Sequence, residues 1–233
     1  MKKPLSSSFL KELNKQQLEA VKYIDGPLAV FAGAGSGKTR VITYKIAYLL
    51  SLGVSINNIL AVTFTNKAAN EMKERLEKLL GISVKNLWIG TFHSICLKIL
   101  RKSGSSLGIR NDFLIFDEED SISLVKEVMK ELNIDIKKVN PKAVFNAISD
   151  SKINLISCDE YNNFKDSNYF SNIVSSVYSL YEEKIKQNNA LDFDDLIVKT
   201  VELFKEKNDI LSHYQELFKY IFVDEYQDIN YAQ

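Results

Sequence analysis

"FAGAGSGKTRV", residues 31–41, decides the fold. Within it, Ala32-Gly33-Ala34-Gly35-Ser36-Gly37-Lys38-Thr39 fits the P-loop pattern, with Ala32 where the strict form has glycine. Glycines let backbone N–H groups turn inward and approach phosphate oxygens with no Cβ in the way. A helix opening near Lys38 adds the positive end of its dipole. The Lys38 ammonium can then reach β- and γ-phosphates, and the Thr39 hydroxyl can ligate Mg²⁺. The competing account is a chance glycine-rich turn, and the strand-then-helix context argues against it.

Working outward, the first half of the chain alternates apolar runs with helical periodicity. "PLAVFA" (27–32), "ILAVTF" (59–64) and "LWIGTF" (87–92) read as buried strands. "TRVITYKIAYLLSLG" (39–53) and "NKAANEMKERLEKLLG" (66–81) read as helices closed by Gly53 and Gly81. Apolar strands separated by helices imply an α/β fold, a parallel sheet covered by helices on both faces. "YIFVDE" (220–225) reads as a further strand of that sheet.

From about residue 111 to 189 the texture is helical. "DEEDSISLVKEVMKELN" starts with acids that suit a helix N-terminus. "NPKAVFNAISDSKIN" offers Asn140 as N-cap and Pro141 at the first helical position. "SNYFSNIVSSVYSLYEEKIKQNN" is a long amphipathic helix. The expected organisation is a discontinuous α/β domain, 1–110 with 190–233, carrying an all-helical inserted subdomain, 111–189.

Composition narrows the setting. The 233 residues carry 30 Lys+Arg and 30 Asp+Glu, but unevenly. Residues 1–111 hold 17 basic against 6 acidic, and residues 112–233 hold 13 against 24. A basic half beside an acidic half fits polyanion binding by one part, or lysines that only solvate helix faces. No apolar run reaches the length of a membrane span. "MKKPLSSSFLKELN" has no apolar core behind its lysines, so no signal peptide is expected. Two distant cysteines, Cys96 and Cys158, fit a reduced, cytoplasmic protein with inert thiols.

Two carboxylates close the strand "IFVDE". A P-loop ATPase needs an Asp presented to Mg²⁺ from a neighbouring strand end, and Asp224 fits. Glu225 fits the group that orients and activates the attacking water.

Six stretches then combine. "LNKQQLEAV" (13–21), "AGAGSGKTR" (32–40), "AVTFTNKAANEM" (61–72), "GTFHS" (90–94), "LDFDDL" (191–196) and "VDEYQD" (223–228) occur in the order of one family. The chain resembles the N-terminal portion of UvrD/Rep-type superfamily 1 DNA helicases over essentially all its length. The resemblance implies a P-loop NTPase of RecA-like fold that uses ATP and Mg²⁺ to step 3′ to 5′ along single-stranded DNA, or duplex with a single-stranded tail. It places Gln17 on the adenine edge and Arg40 beside the base or ribose. The phosphate loop spans Ala32, Gly33, Ala34, Gly35, Ser36, Gly37, Lys38 and Thr39. Thr39 and Asp224 hold the metal, and Glu225 sits at the attacking water. Phe64 offers a stacking face for DNA, Thr65 and Asn66 reach backbone phosphates, and Thr91 and His93 form a second contact. Spacing alone favours a core role for Phe64. The acids of "LDFDDL" read as helix capping by Asp192, with Asp194 and Asp195 in the first turn.

Relative to that family, a γ-phosphate-sensing glutamine, an adenine-stacking aromatic and the second motor domain with its arginine fingers all lie past Val223–Gln233. The chain alone is therefore expected to bind Mg-ATP and single-stranded DNA weakly, to hydrolyse very slowly and to unwind nothing. Two other readings stand beside this one: a P-loop ATPase without a DNA role, and a non-enzymatic DNA-binding or regulatory module derived from a helicase.

Overall fold

The computed structural model describes residues 8–33, 35–164 and 168–233. Residues 1–7, on which part of the no-leader reading rests, and Ala34 of the phosphate loop lie outside the described residues. The chain divides into two compact units. One holds the residues up to Ile95 together with Ser212–Asp228, the other Cys96–Leu211 with Ile229–Gln233. The expected boundaries at 110 and 190 fall inside the second unit.

In the first unit, α1 (Lys15–Lys22) precedes α2 (Lys38–Ser51), β1 (Ile59–Thr63), α3 (Asn66–Leu80) and β2 (Trp88–Thr91). Helix α4 (Phe92–Ser103) begins here, and after α10 (Asn208–Leu217) the chain returns as β5 (Tyr220–Val223). The sheet order is β2-β1-β5, all parallel. Register sets Thr63 opposite Thr91 and Val62 opposite Val223, so the carboxyl ends of the three strands are level. Ile46 and Leu49 of α2, Met72 and Leu76 of α3, and Ile59, Ala61 and Ile89 of the strands share one buried core. Beside it, Trp88 meets Phe218 edge to face at 5.1 Å, a geometry that adds to area burial.

Three of the four expected strands are present. The fourth is not: residues 27–33 have no regular structure, and Phe31 is 96% exposed. The apolar run expresses a local preference for extended backbone, but a strand also needs a neighbouring edge to pair its N–H and C=O groups. No described strand pairs with 27–32.

The second unit contains β3 (Leu114–Phe116), α5 (Glu118–Glu131), α6 (Pro141–Ile153), α7 (Cys158–Phe164), α8 (Tyr169–Gln187), β4 (Ala190–Asp192) and α9 (Phe193–Glu206). Helix α6 starts as expected, with Asn140 accepting from a first-turn amide and Pro141 at its head, and the acidic start of α5 places Asp117 as a cap that accepts from the Asp120 amide. Ile173, Val174, Val177, Tyr181 and Ile185 of α8 are buried against α5 and α6. Sequence reading missed the two-stranded parallel sheet of β3 and β4, because runs of three residues carry too little periodicity to register. Both cysteines are free, and burial pushes the Cys96 thiol up to about 11.

Among the described residues no helix is long and apolar enough to cross a membrane.

Candidate functional site

Helix α2 opens directly out of the glycine-rich loop. Gly37 is its N-cap and adopts φ +92, a left-handed conformation that β-carbons oppose. A Cβ there would lie 3.1 Å from Gln17 Nε2 and 3.6 Å from Arg40 Cβ. Gly35 is also left-handed. The loop is held from inside: the Ser36 hydroxyl donates to the Gly33 carbonyl at 2.6 Å, and Lys38 Nζ donates to the Ala32 carbonyl at 3.3 Å.

Asp224 follows β5 and is 7% exposed. Its amide donates to Val62 O of β1 at 2.9 Å, which extends the ladder by one residue. Thr39 Oγ1 donates to Asp224 Oδ2 at 2.8 Å. Two hard oxygen donors thus meet beside Lys38, a set that suits Mg²⁺, which takes few protein ligands and keeps the rest as water and phosphate oxygens. Glu225 sits at φ +51, so the strand ends in a sharp turn at this acid. Such backbone costs on the order of 1–3 kcal/mol and clusters at functional sites. Its carboxylate accepts from Gln227 Nε2 at 2.7 Å.

Gln17 lies in the first turn of α1, which starts with a reciprocal capping box between Asn14 and Gln17. Gln17 Nε2 donates to Ser36 O at 3.2 Å, so its amide reaches the loop across α1 and α2. The far end of α1 is tied down by Lys45 of α2, whose Nζ donates to Ala20 O at 3.1 Å and to Tyr23 O. Burial pulls the Lys45 ammonium below its ordinary value. Arg40 Nη2 donates to Glu12 O at 3.0 Å, to Glu12 Oε2 at 3.2 Å and to the Tyr44 hydroxyl at 3.3 Å. Glu12, Tyr44 and Lys45 were invisible to motif reading, since each acts through a tertiary contact: Glu12, at the end of the 3-10 turn Ser8–Glu12, meets Tyr44 of α2, and Lys45 of α2 meets the end of α1.

On the other side of β1, the strand ends carry the expected nucleic-acid residues. Phe64 is 64% exposed, which removes the core role that spacing favours. Thr65 is the N-cap of α3, and its Oγ1 accepts from Ala68 N at 3.1 Å. Thr91 Oγ1 accepts from Ser94 N at 3.3 Å. Each hydroxyl therefore holds a helix start while its own proton remains able to donate outward. Asn66 opens α3 and is exposed, and His93 is the second residue of α4 and half-buried. At Gly90, inside β2, a Cβ would come within 2.2 Å of Ser94 Oγ, so a larger residue there would have to displace the Ser94 hydroxyl.

The "LDFDDL" acids are structural, as expected. Asp192 caps α9 in a reciprocal box with Asp195. The unexpected partner is Lys152 of α6, 2% exposed, whose Nζ lies 2.7–2.8 Å from Glu182, Asp192 and Asp195.

The chain is similar to known proteins. The family described as UvrD/REP helicase N-terminal domain matches residues 13–233. An ATP-dependent DNA helicase PcrA of Bacillus subtilis (strain 168) is 48% identical over 230 residues, 98% of this chain and 31% of that protein. PcrA helicases of Staphylococcus aureus (strain Mu50 / ATCC 700699) and Staphylococcus epidermidis (strain ATCC 35984) are 49% and 48% identical over 229 residues, again 31% of their length. The chain thus spans about a third of the curated relatives it matches. With a family match running through both the phosphate loop and the acids after β5, the chain belongs to the UvrD/REP helicase N-terminal domain family.

Proposed function

We propose that this chain forms the ATP-binding motor part of a 3′-to-5′ DNA helicase or translocase, and that residues 1–110 with 190–233 act as its RecA-like ATP domain around the insertion 111–189. The observation that carries this reading is the bond between Thr39 and Asp224, which joins the phosphate loop to the acidic strand end at one point. Lys38 neutralises charge on the β- and γ-phosphates as the transferring group loosens. Thr39 and Asp224 would hold Mg²⁺, which supplies charge neutralisation between the two phosphates. Glu225 orients the attacking water and accepts its proton as the new P–O bond forms and the bond to ADP breaks. Gln17 pairs with the adenine edge through a donor and an acceptor.

Single-stranded DNA lies across the ends of β1 and β2. Phe64 stacks a base, and Thr65, Asn66, Thr91 and His93 hold the backbone. The partner that completes the motor is the second domain of the family, with arginines worth several orders of magnitude in hydrolysis. The setting is the cytoplasm.

ATP hydrolysis measured with oligo-dT, with the second domain supplied in trans, tests the reading. Stimulation that disappears in Lys38→Ala and Glu225→Gln is expected. DNA binding indifferent to both variants, with no ATP binding, would instead make the chain a non-enzymatic DNA-binding module.

A further inference from the structure

Arg40 is held by one corner. Its hydrogen bonds use Nη2, while Nη1 and the buried Nε have no hydrogen-bond partner among the described residues. The holding groups form a closed cycle, because the Tyr44 hydroxyl accepts from Arg40 and donates to the same Glu12 carboxylate. Tyr44 is fixed in turn: its ring is buried and meets Phe9 edge to face at 5.9 Å, and Arg40 Cζ sits 5.0 Å from its centroid. An exposed Arg–Glu pair alone restrains little. A guanidinium tied to a backbone carbonyl, a carboxylate and a buried phenol has lost most of its freedom before any ligand arrives, which lowers the cost of binding one. A Cβ on Gly37 would lie 3.1 Å from Gln17 Nε2, 3.6 Å from Arg40 Cβ and 4.0 Å from Arg40 Cδ, so the Gln17 amide and the Arg40 stem flank the same glycine of the loop. The buried Nε adds to the cost of holding the side chain here, and Nη1 is the donor left uncommitted for a ligand oxygen or nitrogen.

We propose that Glu12 and Tyr44 are positioning residues that hold Arg40 against the nucleoside end of the bound nucleotide, and so contribute to base and sugar recognition but not to triphosphate binding. The proposal rests on the ATP-binding reading of the same site.

Equilibrium binding of a fluorescent ATP analogue, competed by ATP and separately by inorganic tripolyphosphate, tests it in the full chain with Mg²⁺. Glu12→Gln, Tyr44→Phe and Arg40→Ala are each expected to weaken ATP by about 3- to 10-fold, the scale of one hydrogen bond. Tripolyphosphate should bind within about twofold of wild type, since no phosphate contact changes. Glu12→Gln added to Arg40→Ala should cost nothing more, because the two act as a unit. ATP affinity unchanged or tighter in Glu12→Gln and Tyr44→Phe would overturn the proposal, as would an equal loss for both ligands. Tyr44→Phe deletes a single oxygen and carries the test if Glu12→Gln does not fold. Wild-type binding of both ligands that vanishes in Lys38→Ala keeps the ATP-site reading intact even where Glu12 and Tyr44 prove indifferent.

Discussion

Thr39 Oγ1 and Asp224 Oδ2 lie 2.8 Å apart although 185 residues separate them in sequence. The distance follows from two local facts. Thr39 is in the first turn of α2, and Asp224 is the first residue past β5, whose ladder to β1 its amide continues. The hydroxyl donates to the carboxylate here; a divalent ion would instead take a lone pair from each oxygen, with the Thr39 hydroxyl turned outward and keeping its proton.

This pair should make nucleotide binding depend on magnesium. Binding of an ATP analogue is expected to tighten on adding Mg²⁺ in the wild-type chain, and to lose most of that gain in Thr39→Val and Asp224→Asn. Both variants are near-isosteric, so thermal unfolding should move by no more than the ~1 kcal/mol of one hydrogen bond. Titrations with and without EDTA decide it; an undiminished magnesium effect in both variants would remove the metal role from these oxygens.

Phe64 separates packing from recognition. Its side chain is mostly in solvent. Phe64→Ala should therefore change unfolding free energy by less than about 0.5 kcal/mol, where a core phenylalanine costs about 3–5 kcal/mol. Oligo-dT affinity should fall by roughly 1–3 kcal/mol, the worth of one base stacked on an aromatic ring. Fluorescence anisotropy and urea unfolding together check both halves. A stability loss of core size would return Phe64 to the structural role that spacing favours.

Lys152 should hold the second unit together. Burial opposes its charge, but Asp192, Asp195 and Glu182 outweigh burial and keep the ammonium well above its ordinary range. Lys152→Met leaves these carboxylates without their cation and should cost about 3–5 kcal/mol. The pH dependence has a definite sign. Burial first, and then the Asp192 charge, push Asp195 up to about 7. Folded Asp195 thus keeps a proton that the unfolded chain releases from about pH 4 upward. Stability present at low pH is lost as pH rises through 7. Urea midpoints at pH 5 and pH 8 should differ in that direction, and Asp195→Asn should flatten the difference.

Gly90 tests the coupling of strand end to helix start. A methyl group there meets Ser94 Oγ, which donates to Thr91 O at 2.9 Å. Gly90→Ala should displace Ser94, disturb Thr91 and weaken oligo-dT binding, and Gly90→Ala with Ser94→Ala should recover part of the loss. Equal affinity for wild type and Gly90→Ala would show that Ser94 does not position Thr91.

Much of the molecule was legible in its residues alone, and for one reason: those features are local. A helix cap such as Asn140 or Asp192 is satisfied within three residues, and amphipathic periodicity in α3 and α8 repeats within a few turns. The phosphate loop is also a single turn, so Gly35, Gly37, Lys38 and Thr39 declare it without help from elsewhere. The family motifs were readable in the same way.

Tertiary structure decided what depends on distant partners. Extended preference in Leu28–Phe31 could not reveal that no neighbouring edge pairs with it. Spacing favoured the core for Phe64 and the structure exposes it, since a residue past the last paired position of a strand is free to face either way. Glu12 and Tyr44 gained their roles only when the turn before α1 met α2, Lys45 only when α1 packed on α2, and Lys152 only when α6 reached the start of α9. Each is a charged or polar side chain whose partner lies on another element, and a linear pattern carries no record of which surfaces meet.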